Sequence, residues 1–145
     1  MQPPPHEPAP PPRRGLRFER RMRLVRGADF ERAYRRGTRA RGSALVVLTS
    51  PGGGAVTRLG LSIGRKAWRE AVDRNRARRL IREAFRLEYE ALPPRADLVV
   101  MAADPRGPWD LCSLRRELPS LAWKAWRKQA GQAGQAGQTG EEPRP

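Results

Sequence analysis

The run Ala71-Val72-Asp73-Arg74-Asn75-Arg76-Ala77-Arg78-Arg79-Leu80-Ile81-Arg82-Glu83-Ala84-Phe85-Arg86 carries two periodic patterns at once. At about 100° per residue, Ala77, Leu80, Ile81, Ala84 and Phe85 share one face of a helix. Asn75, Arg79, Arg82 and Arg86 line a neighbouring face, with Arg78 beside them. Only Asp73 and Glu83 supply acid, whereas a solvated helix usually mixes its charges. The expectation is an amphipathic helix, roughly Val72 to Tyr89, whose guanidinium row meets a polyanion. Pro93-Pro94 ends it.

The whole chain has the same bias. Thirty Lys and Arg stand against fifteen Asp and Glu, a net charge of +15 over 145 residues. Only Lys66, Lys124 and Lys128 are lysines, so arginine carries the charge. Arginine pairs with phosphate through a rigid fork and stacks on bases. This composition indicates a nucleic-acid binder, with an anionic membrane surface as the lesser possibility. Cys112 is the one cysteine and His6 the one histidine, which excludes disulfide frameworks, His–Cys and Ser–His catalysis, and Cys/His zinc sites. No apolar run spans a bilayer and the N-terminus lacks a secretion core, so a cytoplasmic protein is expected.

Outward from the basic helix, the flanking segments predict an α+β fold. Residues 1–15, rich in proline, read as a disordered tail, and 130–145, with its Ala-Gly-Gln triplets, as another. The folded domain is then 16–129. Ala28 to Arg36 predicts a short helix burying Phe30, Ala33 and Tyr34, stopped at Gly37. Ala44 to Thr49 predicts a strand, and Val56 to Ile63 its returning partner beyond a Pro-Gly-rich turn. In that second strand Gly60, Ser62 and Gly64 present a small-residue face, suited to a tightly packed helix or to a ligand. Asp97 to Ala102 is apolar on both faces, as a central strand is. A last helix starts near Asp110, a plausible N-cap, with Leu111, Leu114, Leu118, Leu121 and Ala125 as core stripe and Pro119 predicted to kink or split it. Trp109, Trp123 and Trp126 fit either packing or base stacking.

Four ordered blocks resemble the bacterial ribonuclease P protein component. These are Asp29-Phe30-Glu31-Arg32-Ala33-Tyr34-Arg35-Arg36-Gly37, Arg58-Leu59-Gly60-Leu61-Ser62-Ile63-Gly64-Arg65-Lys66, the basic helix from Ala71 to Glu83, and Ala96 to Ala102. The third is similar to the family's Arg-Asn-Arg-x-Lys-Arg-x-x-Arg pattern, and the whole match spans about residues 22–128. The resemblance implies a two-layer α/β sandwich with one mixed sheet and a left-handed βαβ crossover, like certain ribosomal-protein and translation-factor domains.

It also implies a function: the accessory subunit of an endoribonuclease whose RNA subunit removes the 5′ leader of precursor tRNA. Magnesium would be held through that RNA, with no cofactor bound by the protein alone. The implied partners are the catalytic RNA and precursor tRNA, with no membrane and no DNA. Arg65, Lys66, Arg74, Asn75, Arg76, Arg78, Arg79 and Arg82 would face the catalytic RNA, and Arg86 continues their row. Phe30, Tyr34, Val46, Leu48 and Ser62 would line a groove for the leader, Leu48 standing where the family commonly has an aromatic. The alternatives are a structural ribosomal-type RNA-binding protein, a helix-turn-helix DNA reader, and a protein-only nuclease built on Asp97, Asp104 and Asp110.

Overall fold

The computed structural model describes residues 20–52, 54–66 and 68–139. The elements in order are α1 (Gly27–Arg36), β1 (Thr38–Arg41), β2 (Leu45–Pro51), β3 (Arg58–Ser62), α2 (Ala71–Leu87), β4 (Ala96–Ala102) and α3 (Leu111–Thr139). They form an α+β fold around one mixed sheet of order β1-β2-β4-β3. β4 is antiparallel to β2 and parallel to β3, so β3, α2 and β4 make a βαβ unit. Among the described residues no helix is long and apolar enough to cross a membrane.

One sheet face carries the main core. Leu45, Val47, Leu59, Leu98 and Val100 pack there against Ile81, Ala84 and Phe85 of α2 and Leu114, Leu118, Leu121, Ala122 and Ala125 of α3. Full burial of Phe85 alone contributes about 1.5–3 kcal/mol. The other face is only partly covered. There Leu24, Ala33, Leu48 and Val99 are buried, with Phe30 and Met101 packed against them.

Several elements depart from the sequence expectations. The predicted hairpin of β2 and β3 does not form, because β4 lies between them. Apolar on both faces, β4 gains most at the sheet centre, and the loop from Gly52 to Thr57 is long enough to step over it. The hairpin partner of β2 is instead β1, a strand the sequence pattern does not announce, and β4 flanks β2 on its other side. Tyr34 is not core but 40% exposed. Pro119 does not split α3, which continues through the Ala-Gly-Gln stretch to Thr139, a stretch expected as flexible chain. Alanine and glutamine favour the helix there, against Gly131, Gly134 and Gly137, each of which costs about 1 kcal/mol relative to alanine. The proline-rich stretch 1–15 lies outside the described residues.

Candidate nucleic-acid interface

Helix α2 buries Ala77, Ile81, Ala84 and Phe85 and turns its arginines outward. Its first turn has no side-chain cap. Instead Arg74 reaches back, and its Nη1 donates to the carbonyls of Trp68 (2.9 Å) and Arg69 (2.8 Å). Arg74, expected to face RNA, is thus engaged in closing the loop that enters the helix.

The remaining guanidiniums divide into paired and unpaired. Arg78 donates to Asn75 Oδ1 (3.1 Å) and to the carbonyl of Ile63 (3.3 Å), tying α2 to the segment that follows β3. Arg86 pairs with Glu83 one turn back, which holds its pKa above the ordinary guanidinium value. Arg79 and Arg82 have no acidic partner among the described residues. Desolvation, then repulsion from Arg23 and Arg78, pushes the Arg82 guanidinium below its usual pKa. Arg23, Asn75, Arg78, Arg79, Arg82, Glu83 and Arg86 together line an open cleft of about 660 Å³.

Arg23 is the member that the sequence analysis missed. The segment before α1 runs beside β3: Arg23 bridges to Leu59, and Leu24 N–H donates to the Leu59 carbonyl at 2.9 Å. Met22 and Leu24 are buried while Arg23 is exposed, a strand-like alternation that was available as a signal. Arg76 is not part of the cleft lining. Arg65 and Lys66 are exposed in the turn after β3, close along the chain to the Ile63 carbonyl that Arg78 holds.

The second surface is the partly covered sheet face. Register sorts its residues into rows across the strands. One row is Ser50, Asp97 and Arg58; the next is Arg39, Leu48, Val99 and Gly60; the third is Arg41, Val46, Met101 and Ser62. Helix α1 lies on the first two. Arg58 grips Asp97 with two parallel bonds, both 2.8 Å, and reaches Asp29 of α1 at 3.4 Å. The bond to Asp97 raises the Arg58 pKa despite its desolvation. Within α1 Asp29 also pairs with Arg32 at 2.9 Å, and Arg32 in turn approaches Asp97 at 3.9 Å, so α1 is fastened over this row by charge. Phe30 then rests on Gly60, closer than any larger residue would permit. The small face thus receives a tightly packed helix at Gly60.

This arrangement corrects one groove assignment. Leu48 is 1% exposed, beneath α1, and is core rather than open surface. The third row stays uncovered: Val46 and Met101 are half-buried, and Ser62 and Arg41 exposed. Tyr34 is exposed on α1, while Phe30 is half-buried below it. Trp109 and Trp123 are committed to packing, their Nε1 atoms donating to the carbonyls of Asp104 (2.8 Å) and Ala91 (2.6 Å). Asp97 is bound by Arg58, and Asp110 caps α3 by accepting from Ser113 N–H at 2.8 Å. Among the described residues no three His, Cys, Asp or Glu side chains group as metal ligands.

Comparison with known proteins agrees with this architecture. The Ribonuclease P family profile matches residues 18–126. The ribonuclease P protein component of Methylococcus capsulatus is 44% identical over 96 residues, 66% of this chain and 74% of that one. That of Chromohalobacter salexigens is 35% identical over 108 residues, 74% of this chain and 83% of its own. Among solved structures, the Staphylococcus aureus RNase P protein superposes with a TM-score of 0.60 at 29% identity, covering 69% of this chain and 91% of that one. The Thermotoga maritima RNase P protein gives 0.61 at 29% identity, covering 69% and 94%. With a profile match across most of the fold and relatives well above 30% identity, this chain belongs to the ribonuclease P protein component family and acts in tRNA 5′-end processing.

Proposed function

We propose that the α2 cleft docks on the catalytic RNA of ribonuclease P, and that the open row of the sheet, flanked by Tyr34, takes the single-stranded 5′ leader of precursor tRNA. The observation that carries this is the crowding of Arg23, Arg78 and Arg82 without a matching acid at Arg82. Such a cluster raises the energy of the free protein and is relieved when phosphates enter. The uncovered row offers apolar contact at Val46 and Met101, and α1 carries an exposed aromatic, Tyr34; apolar and aromatic surface is the chemistry that holds single-stranded RNA.

In this reading the RNA performs the hydrolysis and holds magnesium. The carboxylates of Asp29 and Asp97 are occupied by arginines, which also argues against a protein-only nuclease. A helix-turn-helix DNA reader is disfavoured because β3 and a loop, not a short helix, precede α2.

Reconstitution with a bacterial catalytic RNA at low magnesium tests the proposal. Cleavage and substrate affinity rise over RNA alone, and the gain in affinity requires a 5′ leader on the tRNA. An equal gain with leaderless tRNA favours the structural ribosomal-type alternative, and no gain at all overturns the proposal.

A further inference from the structure

The uncovered row has a cation at one end. Arg41 on β1 pairs with Val46, Val46 with Met101 and Met101 with Ser62, so these four side chains follow one another straight across the sheet. Three interstrand steps of about 4.8 Å make a track of about 14 Å. Its Ser62 end leads within a few residues to Arg65 and Lys66 and to the Ile63 carbonyl held by Arg78, the side on which α2 carries its arginine cleft. Its Arg41 end lies at the opposite edge of the sheet.

Thr38 and Ala40 alternate with Arg39 and Arg41 along β1, the first pair buried and the second exposed. Thr38 donates through its hydroxyl to the Ala125 carbonyl, and Ala40 joins the α2–α3 core, which fixes Arg39 and Arg41 on the uncovered face. The carboxylate that touches this hairpin, Glu117, accepts from three backbone N–H groups: Ser43 (3.2 Å), Ala44 (2.9 Å) and Leu45. It is therefore spent on the turn and does not pair with Arg41. Among the described residues the Arg41 guanidinium makes one long contact, 3.4 Å to the Ala103 carbonyl. Lys128 adds a further cation at the same margin, its Nζ donating to the Arg39 carbonyl at 3.0 Å.

We infer that Arg41 is a distal phosphate clamp for the leader, a specificity-determining residue that rewards leaders long enough to cross the sheet. The inference rests on the assignment of the open row to the leader. Bases lie over Met101 and Val46, whose polarizable and apolar surfaces accept any base, and the chain then meets a charge at the far edge. Affinity gained this way depends on leader length rather than on leader sequence.

The test uses holoenzyme reconstituted with the catalytic RNA and precursor tRNAs whose leaders are shortened one nucleotide at a time. With the unmodified protein, affinity climbs with leader length and reaches a plateau. Arg41→Ala lowers the plateau by about fivefold, the scale of one exposed charge contact, and leaves the shortest leaders unaffected. The salt slope for long leaders falls by about one. Arg41→Lys restores most of the plateau, and neither variant shifts the melting temperature, because the side chain is exposed. An unchanged plateau in Arg41→Ala, or an equal loss at every length, overturns the clamp while the leader assignment stands. A flat length profile in the unmodified protein overturns both.

Discussion

The Phe30 ring rests on Gly60 with no room for a methyl group between them. A Cβ built at Gly60 would lie 2.7 Å from Phe30 Cζ, 2.8 Å from its Cε1 and 3.0 Å from Leu24 Cβ. Gly60→Ala therefore lifts α1 or displaces the ring, and overpacking of this kind costs about 1–3 kcal/mol. Denaturant unfolding measures the loss. Because the clash is specific, Phe30→Leu on the Gly60→Ala background recovers part of it, so the two changes are non-additive. Strict additivity would show that the ring is not what the methyl meets.

The arginine cleft sets function against stability. A base whose folded pKa lies below its unfolded value is charged at a cost in the folded state, and Arg82 is such a base through desolvation and its neighbours Arg23 and Arg78. Arg82→Ala is expected to raise the melting temperature of the free protein at low salt, with the difference shrinking as salt screens the repulsion. The same variant weakens binding to the catalytic RNA, and the log–log salt slope falls by about one unit per lost phosphate contact. Arg79→Ala adds a further unit. Thermal scans and filter binding over a salt series read both quantities.

In the first turn of α1, by contrast, the charges stabilise. Asp97 is 1% exposed and bidentate to Arg58, which in turn reaches Asp29. Asp97→Asn leaves a half-buried guanidinium short of its counter-charge, and breaking such a pair costs up to about 3–5 kcal/mol. Urea midpoints measure the loss. Since this network fastens α1 over the sheet, the variant also blunts discrimination between leader-bearing and leaderless tRNA at temperatures where it stays folded.

Asp110 gives a pH-dependent contribution of known sign. Hydrogen bonds from the Ser113 backbone and hydroxyl hold its carboxyl below the ordinary 3.8. A depressed carboxyl stabilises the fold above its unfolded pKa and loses that contribution as acid takes the pH down through the folded value. Asp110→Asn keeps an N-cap side chain. It is therefore expected to leave the capped helix formed near neutrality and to flatten the part of the acid unfolding curve below pH 3.8. An acid limb unchanged by the substitution would remove Asp110 from the titration.

What the sequence disclosed follows from how local each signal is. The period of Ala77, Ile81, Ala84 and Phe85 needs no tertiary information, and α2 forms where it predicts. The same holds for Asp97 to Ala102 as a central strand. β1 was illegible because Thr38-Arg39-Ala40-Arg41 is too short and too charged to look like a strand; pairing with β2 and burial of Thr38 and Ala40 under α3 decide it. Strand order was illegible too, since nothing local tells β2 to pair with β4 rather than β3. At the candidate interface the types of residue were readable but not their employment. Only tertiary geometry commits Arg74 to loop carbonyls and Arg86 to Glu83, brings Arg23 into the cleft, and buries Leu48.

Phe30 and Tyr34 occupy successive turns of α1 but differ in exposure, and their substitutions separate accordingly. Phe30 packs on Leu24, Leu48 and Val99 and above Gly60, so Phe30→Ala costs stability, about 3 kcal/mol or more for a large aromatic. Tyr34 is 40% exposed and contributes little to that cluster. Tyr34→Ala should keep the melting temperature within a degree or two and lower affinity for leader-bearing tRNA by about 1–3 kcal/mol, the worth of one stacked base. Tyr34→Phe retains the stacking surface and so retains the affinity, which distinguishes stacking from a hydroxyl contact. Melting curves beside binding isotherms for the three variants decide the matter. A Tyr34→Ala protein that binds long leaders normally would move the leader off the α1 side of the open row.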